Sequence, residues 1–394
     1  MSMSFRLDRK MVFHQMRGVG TLELDWESGQ RVYALIGENG IGKTKLLESL
    51  VMLLFLTSQR VENFYKERIL IYPKYLLFNG LEIGNYNYNP GFFNFDDNTN
   101  NYLFIRDVFP ELERHQIPFV YLAAQSRSNI QEHQQSVKQL GRNRERLEGY
   151  LTYLSEAIIP FDNTEHKLKT LSMDTNIEEW FVQRAQSANP YQAAEDNREI
   201  EIKTLLTLLH RVDERIDAEF LEISGDNRVF LKIETDKRAL SQLSSGFVSI
   251  LKILQSIIAG YSYFTNETQL ADVRGIVLID EIESHLHHTW QADIMPLLKG
   301  LFPNTTFFVT THSAIVLTQL RQNEAYRLVR NSDGIVQSKL IKSPNTVALV
   351  DLLKDAFNVD LNRLKIQRTT PRSQQDAKRK LLELIQSELE EGSQ

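Results

Sequence analysis

The amino-acid sequence predicts an α/β fold in which helices pack on a mixed sheet. Short apolar runs with the length of buried strands recur along the chain, and polar residues follow them. These runs are residues 32–36, 119–124, 275–279 and 306–309. Longer segments with apolar residues three and four positions apart, the spacing of amphipathic helices, lie between them. Strands that alternate with helices in this way favour the α/β class.

The segment 37–44 has the sequence Gly-Glu-Asn-Gly-Ile-Gly-Lys-Thr and connects the first strand with the apolar helix that follows. A strand, a glycine-rich loop and a helix are the context in which a P-loop binds phosphate. The glycines let successive N–H groups and the helix N-terminus point at a phosphate chain. We expect Lys43 to reach the β- and γ-phosphates and the Thr44 hydroxyl to ligate Mg²⁺. The sequence therefore predicts that the chain binds ATP or GTP. The residues predicted to hold the nucleotide here are Asn39, Gly40, Gly42, Lys43 and Thr44.

The composition predicts a soluble, cytoplasmic protein with a large core. Of the 394 residues, 42% are hydrophobic and 24% are charged, which suits two or three domains. The absence of cysteine excludes disulfides and thiolate zinc sites, and it disfavours zinc at the histidines of residues 285–288. Residues 1–10 have no apolar core and residues 49–56 are too short to cross a bilayer, so we expect no membrane contact. The net charge of −6 restricts any nucleic-acid contact to a local patch.

Changes in composition divide the chain into six predicted segments. They are an N-terminal lobe with the P-loop (1–56), an aromatic and Asn-rich insertion (57–118), a strand with a polar end (119–127), an inserted helical lid (128–218), a C-terminal lobe (219–345) and a basic, amphipathic tail (346–394).

The two insertions differ in their patterns. Residues 85–97 are dense in Asn, Tyr and Phe, which could stack on bases, although a small satellite core or a protein contact is the preferred interpretation. In the lid, residues 136–158 and 200–220 have the apolar spacing of amphipathic helices. Residues 220–233 then have the pattern of a β-hairpin.

Polar side chains follow three of the predicted strands, at the sheet edge where α/β proteins bind ligands. Asp280 can hold Mg²⁺ through water, and Glu281 can polarise the attacking water as a general base. His312 can hydrogen-bond the γ-phosphate and the water. Gln125 is a candidate contact to Mg²⁺ or to the attacking water, with a surface loop as the alternative.

A second helix N-terminus begins near residues 244–246, because apolar residues at helical spacing follow Gly246. Its spare N–H donors and its positive dipole end can bind phosphate. Ser244, Ser245 and Gly246 are therefore candidate nucleotide-binding residues. Taken alone, a serine at the N-cap is the simpler explanation.

These motifs together resemble those of ABC-type ATPases. Residues 37–44 are similar to a Walker A motif, Gln125 to a Q-loop, residues 243–246 to the signature, residues 276–281 to Walker B, residues 283–291 to a D-loop and His312 to the switch histidine. All six occur in the order of the family. The resemblance implies a homodimer or higher homo-oligomer that holds ATP and Mg²⁺ between subunits, with the signature of one subunit closing over the nucleotide of the other. The signature here departs from the family in lacking a second consecutive glycine.

The spacing of the motifs is similar to that of the stand-alone ATPases of bacterial anti-phage systems, such as the Septu, PARIS and retron-associated ATPases. About two hundred residues separate the Walker A motif from the signature, whereas transporter subunits are more compact. The resemblance implies a nucleotide-controlled sensor or scaffold. The residues after His312 lack a nuclease-like cluster, so we expect a separate effector in trans, a nuclease or toxin. The alternatives are a repair-type ATP-dependent DNA clamp and a transport ATPase subunit.

The tail combines a basic stretch at residues 363–380 with an amphipathic pattern at residues 381–391. A partner-docking helix or a solvated terminus accounts for this pattern. Direct binding of nucleic acid by the basic stretch is the alternative.

Overall fold

The computed structural model describes most of the chain in two compact units, Met1–Thr346 and Val347–Gln394. The described residues are 10–65, 76–84, 112–130, 139–159, 165–173, 175–189 and 196–357, with Leu7, 70–71, 86–88, 103–104, Phe109, Val137, Tyr191, Ala193, Arg363 and Arg379. Most of the predicted aromatic stretch and most of the predicted tail, including nearly all of its basic and amphipathic parts (residues 363–391), lie outside these residues.

A ten-stranded mixed sheet forms the centre of the first unit and confirms the predicted α/β class. The described residues form fifteen strands in three sheets, of two, three and ten strands. They are β1 (Met11–Met16), β2 (Gly20–Leu24), β3 (Val32–Ile36), β4 (Leu70–Ile71), β5 (Gly80–Ile83), β6 (Tyr86–Tyr88), β7 (Leu103–Phe104), β8 (Phe119–Leu122), β9 (Glu222–Ile223), β10 (Val229–Ile233), β11 (Asp236–Ala239), β12 (Ile276–Ile279), β13 (Thr306–Thr310), β14 (Ala325–Arg330) and β15 (Val336–Leu340). The order in the large sheet is β6-β5-β1-β2-β15-β14-β3-β13-β12-β8.

The strands β14, β3, β13, β12 and β8 are parallel to their neighbours within this half of the sheet. Every residue of β3, β8 and β12 is buried, which explains why these strands are continuously apolar in sequence. The register pairs Ile279 with both Leu122 and Val309, so the carboxyl ends of β8, β12 and β13 lie side by side. The residues that follow these strands therefore meet at one edge.

Ten helices occur among the described residues. They are α1 (Lys43–Leu56), α2 (Gln59–Tyr65), α3 (Asn143–Ile158), α4 (Glu165–Thr170), α5 (Ile177–Ser187), α6 (Glu199–Val212), α7 (Ser245–Phe264), α8 (His288–Leu301), α9 (Ala314–Thr318) and α10 (Leu349–Phe357). The helix α1 is buried along nearly its whole length and packs against β8, β12 and β13. The helix α10 belongs to the second unit.

The lid helices are shorter than the sequence patterns predict. The helix predicted over residues 136–158 begins at Asn143, because Gly141 has a left-handed backbone (φ +74°) and Arg142 N donates to Glu145 Oε2 at 3.0 Å, as in a capping box. The helix predicted over residues 200–220 ends at Val212, where the extended backbone of Asp213 stops it.

The predicted hairpin is present, because Val229 pairs with Ile223 in antiparallel strands. A third strand, β11, extends it. The sequence pattern did not predict β11, since its first three residues are charged and exposed, as edge strands often are.

The helix α7 has the length and apolar composition of a membrane-spanning segment, yet 94% of its apolar window is buried inside the protein. Core helices share this composition, so composition alone is weak evidence for a membrane span. The expectation of no membrane contact considered residues 1–10 and 49–56 and overlooked this helix.

A buried ion cluster joins α5 to α6 in the lid. Glu201 accepts hydrogen bonds from Arg184 Nε (2.9 Å) and Arg198 Nε (2.6 Å), and all three side chains are buried. Burial raises the pKa of Glu201, but the two guanidinium groups together hold the pKa below its usual value. The carboxylate thus remains charged in the folded state and fixes the angle between the two helices.

We expect Glu201→Gln to lower the free energy of unfolding by about 3–5 kcal/mol, because it leaves two buried guanidinium groups without their carboxylate. The pKa of Glu201 is lowered by folding, so its contribution is present at neutral pH and is lost as the pH falls through the folded-state pKa. Urea unfolding at neutral and acidic pH measures both effects. Glu199→Gln, which breaks the exposed pair with Lys203, is the control and should cost less than about 0.5 kcal/mol. Equal losses in the two variants would contradict this account.

Candidate nucleotide-binding site

The P-loop, residues 37–44, connects β3 with α1 and depends on glycine at two positions. Gly37 and Gly42 have φ values of +150° and +113°. A Cβ on Gly37 would lie 2.9 Å from the carbonyl oxygen of Leu328, and a Cβ on Gly42 would lie 2.9 Å from Val19. These distances are shorter than carbon atoms tolerate, so a side chain at either position would push the loop out of shape.

The ammonium group of Lys43 lies within the loop. Its Nζ donates to the carbonyl oxygens of Gly37 (2.9 Å) and Glu38 (3.0 Å), and the side chain is buried. Burial lowers the pKa of Lys43, whereas the nearby carboxylates of Asp280, Glu281 and Glu283 act in the opposite direction. A cation held beside a glycine-rich loop and a helix N-terminus suits a polyphosphate.

The carboxylate of Asp280 connects the P-loop to the ends of β12 and β13. Thr44 Oγ1 donates to Asp280 at 3.0 Å and Thr310 Oγ1 donates to it at 2.6 Å. Burial raises the pKa of Asp280, and the two hydroxyl hydrogen bonds act in the opposite direction. Hydroxyl and carboxylate oxygens are the hard ligands that Mg²⁺ prefers, and a cation would relieve the cost of burying this charge. The donor set therefore fits Mg²⁺ held together with phosphate.

The next residue, Glu281, has a left-handed backbone (φ +47°), which is rare for a side chain of this kind. Three contacts hold it there. Its N–H donates to Thr310 Oγ1 (2.7 Å), its carbonyl accepts from Arg127 (2.8 Å) and its carboxylate accepts from the hydroxyl of Ser284 (3.1 Å). Strained backbone held in this way is common at functional sites.

Arg127 is a site residue that the sequence patterns did not identify. It is fully buried and donates to the carbonyl oxygens of Ala123 (2.9 Å), Asp280 (2.7 Å) and Glu281 (2.8 Å). Burial lowers its pKa to about 10, so it stays charged at neutral pH. Arg127 thus fixes the backbone that presents both carboxylates. The signal in the sequence was an arginine directly after the polar end of a buried strand.

Gln125 lies in the turn after β8 and is exposed. Its side chain makes no hydrogen bond to another described residue. Contact with Mg²⁺ or water stays a prediction for Gln125.

His312 follows β13 and is exposed, and a carboxylate that was not predicted fixes its backbone. Glu283 accepts from the His312 N–H (2.5 Å) through one oxygen and from the Thr311 hydroxyl (2.7 Å) through the other. A second contact joins the segment that contains Glu283 to the segment that contains His312. In it, Ser313 Oγ donates to Gln291 Oε1 at 2.7 Å. The segment predicted to be the D-loop, residues 283–291, thus contacts residues 311–313, the histidine loop, at two points.

The N-terminus of α7 contains the residues predicted to form the signature. Ser244 is the N-cap and accepts from the backbone N–H of Phe247 at 3.3 Å, as the simpler interpretation expects. Ser244 and Ser245 are exposed, while a Cβ on Gly246 would lie 3.4 Å from the carbonyl oxygen of His285. A role of these residues toward a second nucleotide stays a prediction.

Three neighbouring histidines lie in the segment 285–288. His285, His287 and His288 are exposed, and nowhere in the described part of the chain do three or more His, Asp or Glu side chains converge as a metal-binding group.

Comparison with known proteins gives the family. Residues 32–318 match the family model described as AAA domain, putative AbiEii toxin, Type IV TA system. The chain belongs to this family. An AAA domain is a nucleotide-binding ATPase domain, in agreement with the P-loop and the carboxylates beside it.

Curated relatives confirm the predicted resemblance to Septu and retron-associated ATPases. The chain is 24% identical over 339 residues to the Septu protein PtuA of Bacillus mycoides (strain KBAB4), covering 83% of this chain and 41% of that protein. It is 33% identical over 134 residues to the retron Ec83 probable ATPase of Escherichia coli, covering 31% and 25%. The chain thus spans less than half the length of these relatives. Among solved structures, it is similar to an SmcHead bound to the C-winged helix domain of ScpA, with a TM-score of 0.43, 10% identity and coverage of 89% and 99%.

We expect Asp280→Asn to raise the melting temperature of the nucleotide-free protein in EDTA while abolishing Mg²⁺-dependent hydrolysis. The amide keeps an acceptor for Thr44 and Thr310 but removes a buried charge. Folding raises the pKa of Asp280, so the ionised carboxylate costs stability above that pKa and the cost disappears as the pH falls through it. The difference in melting temperature should therefore narrow in acid. A variant less stable than the parent at neutral pH would contradict the conclusion that the ionised carboxylate of Asp280 destabilises the metal-free protein.

We expect Glu283→Gln to lower kcat for ATP hydrolysis by about tenfold with little change in KM, because His312 loses its position. Both partners of Glu283 are donors, and an amide offers only one acceptor. Thr311→Val should have a similar effect, and the double variant should be no worse than either single one. The exposed Glu267→Gln is the matched control. Additive losses, or a change in KM alone, would show that Glu283 does not position the histidine loop.

Proposed function

We propose that this chain is an ABC-type ATPase of anti-phage defence that dimerises head to tail, or forms a higher oligomer, around ATP and Mg²⁺. In the cytoplasm, its nucleotide state controls a separate effector protein, a nuclease or toxin. The observation that carries the proposal is the hydrogen-bonded group of Thr44, Asp280 and Thr310 beside the constrained Glu281.

The side chains at the P-loop divide the work of binding. Lys43 and the loop N–H groups, with Asn39, would bind the phosphates, and Thr44 and Asp280 would hold Mg²⁺. Mg²⁺ would neutralise the charge that develops on the transferred phosphoryl group. Asp280 is suited to this role because its carboxylate already faces Thr44.

Glu281 is suited to act as the general base. Its backbone bonds to Thr310 and Arg127 fix the residue independently of its carboxylate, which among the described residues accepts a hydrogen bond only from the Ser284 hydroxyl. One oxygen thus remains for a water molecule, which Glu281 would deprotonate as it attacks phosphorus. His312, whose backbone Glu283 holds, would orient the γ-phosphate and the water, with Gln125 contacting the water or the metal.

Dimerisation accounts for the exposed N-terminus of α7. The first N–H groups of a helix have no partner within it, and Ser244 satisfies that of Phe247. The remaining donors, with Ser245 and Gly246, would bind the nucleotide of a second subunit. The side chain of Ser249 on the same helix donates to Ser284 O (3.2 Å), so closure at α7 would act on the segment that presents Glu281.

The defence role and the effector rest on relatives that are named Septu protein and retron ATPase. The chain spans less than half the length of either relative. The effector partner is therefore proposed for this chain and is not taken over from the relatives.

We expect Glu281→Gln to keep ATP affinity and to slow hydrolysis by roughly two or more orders of magnitude, because it removes the general base. The unhydrolysed nucleotide should then trap the dimer, which light scattering in Mg²⁺ and ATP detects. The trapped form should also change the amount of effector that co-purifies with it. Lys43→Ala should lose nucleotide binding, stay undimerised and serve as the reference.

Hydrolysis at the parental rate would contradict the role of Glu281. A trapped variant that stays monomeric would contradict the dimer. Duplex DNA binding that requires ATP but no partner chain would instead support the DNA-clamp alternative.

A further inference from the structure

The turn that presents Gln125 has a strained backbone. Ser126, the residue that follows, has a left-handed conformation (φ +64°), which residues with a side chain seldom adopt. Gln125 is exposed, whereas Arg127 on the other side of Ser126 is fully buried. The conformation of Ser126 therefore sets where the exposed side chain of Gln125 lies relative to the buried one of Arg127. Such strain persists only where neighbouring groups hold it.

A buried lysine of α7 holds this turn. Lys252 is only 2% exposed, and its Nζ donates to the carbonyl oxygen of Ser126 at 3.0 Å. An ammonium group is costly to bury unless hydrogen bonds satisfy it, so this bond stabilises the lysine as well as the turn. The same carbonyl accepts from the N–H of Asn129 at 3.3 Å, which is longer than usual for such a bond. Lys252 thus makes the shorter of these two bonds to Ser126.

The same ammonium group is anchored to the lid. Lys252 Nζ donates to the carbonyl oxygen of Met173 at 2.9 Å, in a lid turn that other contacts fix. Next to Met173, the carbonyl oxygen of Ser172 accepts from Ser256 Oγ at 3.0 Å, and the Ser172 N–H donates to the Tyr153 hydroxyl at 3.0 Å. The lid turn is thus a fixed support, and Lys252 connects it to the turn that contains Gln125.

The turn held in this way adjoins the proposed metal ligand and the proposed general base. Arg127 of this turn donates to the carbonyl oxygens of Asp280 (2.7 Å) and Glu281 (2.8 Å). Gln125 is two residues away from Arg127, so a shift of the turn changes the distance from its amide to these two residues. Rates depend steeply on such distances, since a misplacement of about 1 Å can cost a factor of about 100.

We infer that Lys252 is a positioning residue for Gln125. The inference rests on the proposed contact of Gln125 with Mg²⁺ or the attacking water, and it adds the group that holds the glutamine in place. Lys252 acts through the carbonyl oxygen of Ser126, supported by its second bond to the lid, and not through contact with the nucleotide. Without the ammonium group, the turn is free to leave its left-handed conformation, and the amide of Gln125 moves away from the reacting atoms.

Steady-state kinetics of ATP hydrolysis by the full chain test this inference. Lys252→Met keeps the apolar stem of the side chain but removes both bonds, and we expect it to lower kcat by about tenfold with little change in KM. Gln125→Ala should lower kcat at least as much. Because Lys252 acts through Gln125, the double variant should be no slower than Gln125→Ala alone. Lys252→Gln, which is too short to bridge both carbonyl oxygens, should also lower kcat and carries the test if the methionine variant does not fold.

Ser256→Ala is the matched control, because Ser256 lies one helical turn further along α7 and donates to the lid turn rather than to the turn of Gln125. Its kcat should stay close to the parental value. A parental kcat in Lys252→Met, a loss that adds to that of Gln125→Ala, or an equal loss in Ser256→Ala would overturn the inference. A parental kcat in Gln125→Ala would overturn the role of Gln125 and the inference together. Failure of the proposed function differs from all of these, because the parent chain itself would then show no Mg²⁺-dependent hydrolysis of ATP.

Discussion

The buried carboxylate of Asp280 is the interaction on which the arrangement of the site depends. It accepts hydroxyl hydrogen bonds from Thr44 and Thr310, and Arg127 binds the carbonyl oxygen of the same residue. These three partners come from the P-loop, the end of β13 and the turn after β8. Burying a carboxylate is costly unless it is hydrogen-bonded, so this charge requires the P-loop and the end of β13 to converge on it, while Arg127 fixes the backbone of the same residue. The parallel register that aligns the ends of β8, β12 and β13 makes the convergence possible.

A second set of polar contacts extends from this centre to the lid through α7, which is otherwise apolar. Ser249, Lys252 and Ser256 lie on one face of that helix and donate to backbone carbonyls of Ser284, Ser126 and Ser172 respectively. They connect the helix to the D-loop segment, to the turn after β8 and to the lid. Movement of α7 would therefore be transmitted to Glu281 through Ser284. It would be transmitted to Arg127 through the turn after β8, which contains Ser126. These contacts form a continuous physical connection between α7 and the residues that present Glu281.

Local patterns were enough to predict β3, β8, β12, β13, the hairpin of β9 and β10, and the P-loop with the polar residues that follow three of these strands, because all of these are encoded within a few positions. Arg127 and Glu283 escaped prediction because their roles depend on partners far away in sequence, at Glu281 for the first and at Thr311 and His312 for the second. The start of α3 at Asn143 depended on the left-handed backbone of Gly141, which apolar spacing does not record. The edge strand β11 is charged, and only pairing with β10 makes it a strand.

The central claim, that Asp280 and Thr44 form a site for Mg²⁺ with ATP, is tested most directly by the affinity for ATP with and without the metal. Isothermal titration in Mg²⁺ and in EDTA should show a large gain in affinity from Mg²⁺ for the parent chain. Thr44→Val removes the hydroxyl with little change in shape, and we expect it to lose most of that gain while keeping the metal-free affinity. The same gain from Mg²⁺ in both proteins would contradict the account.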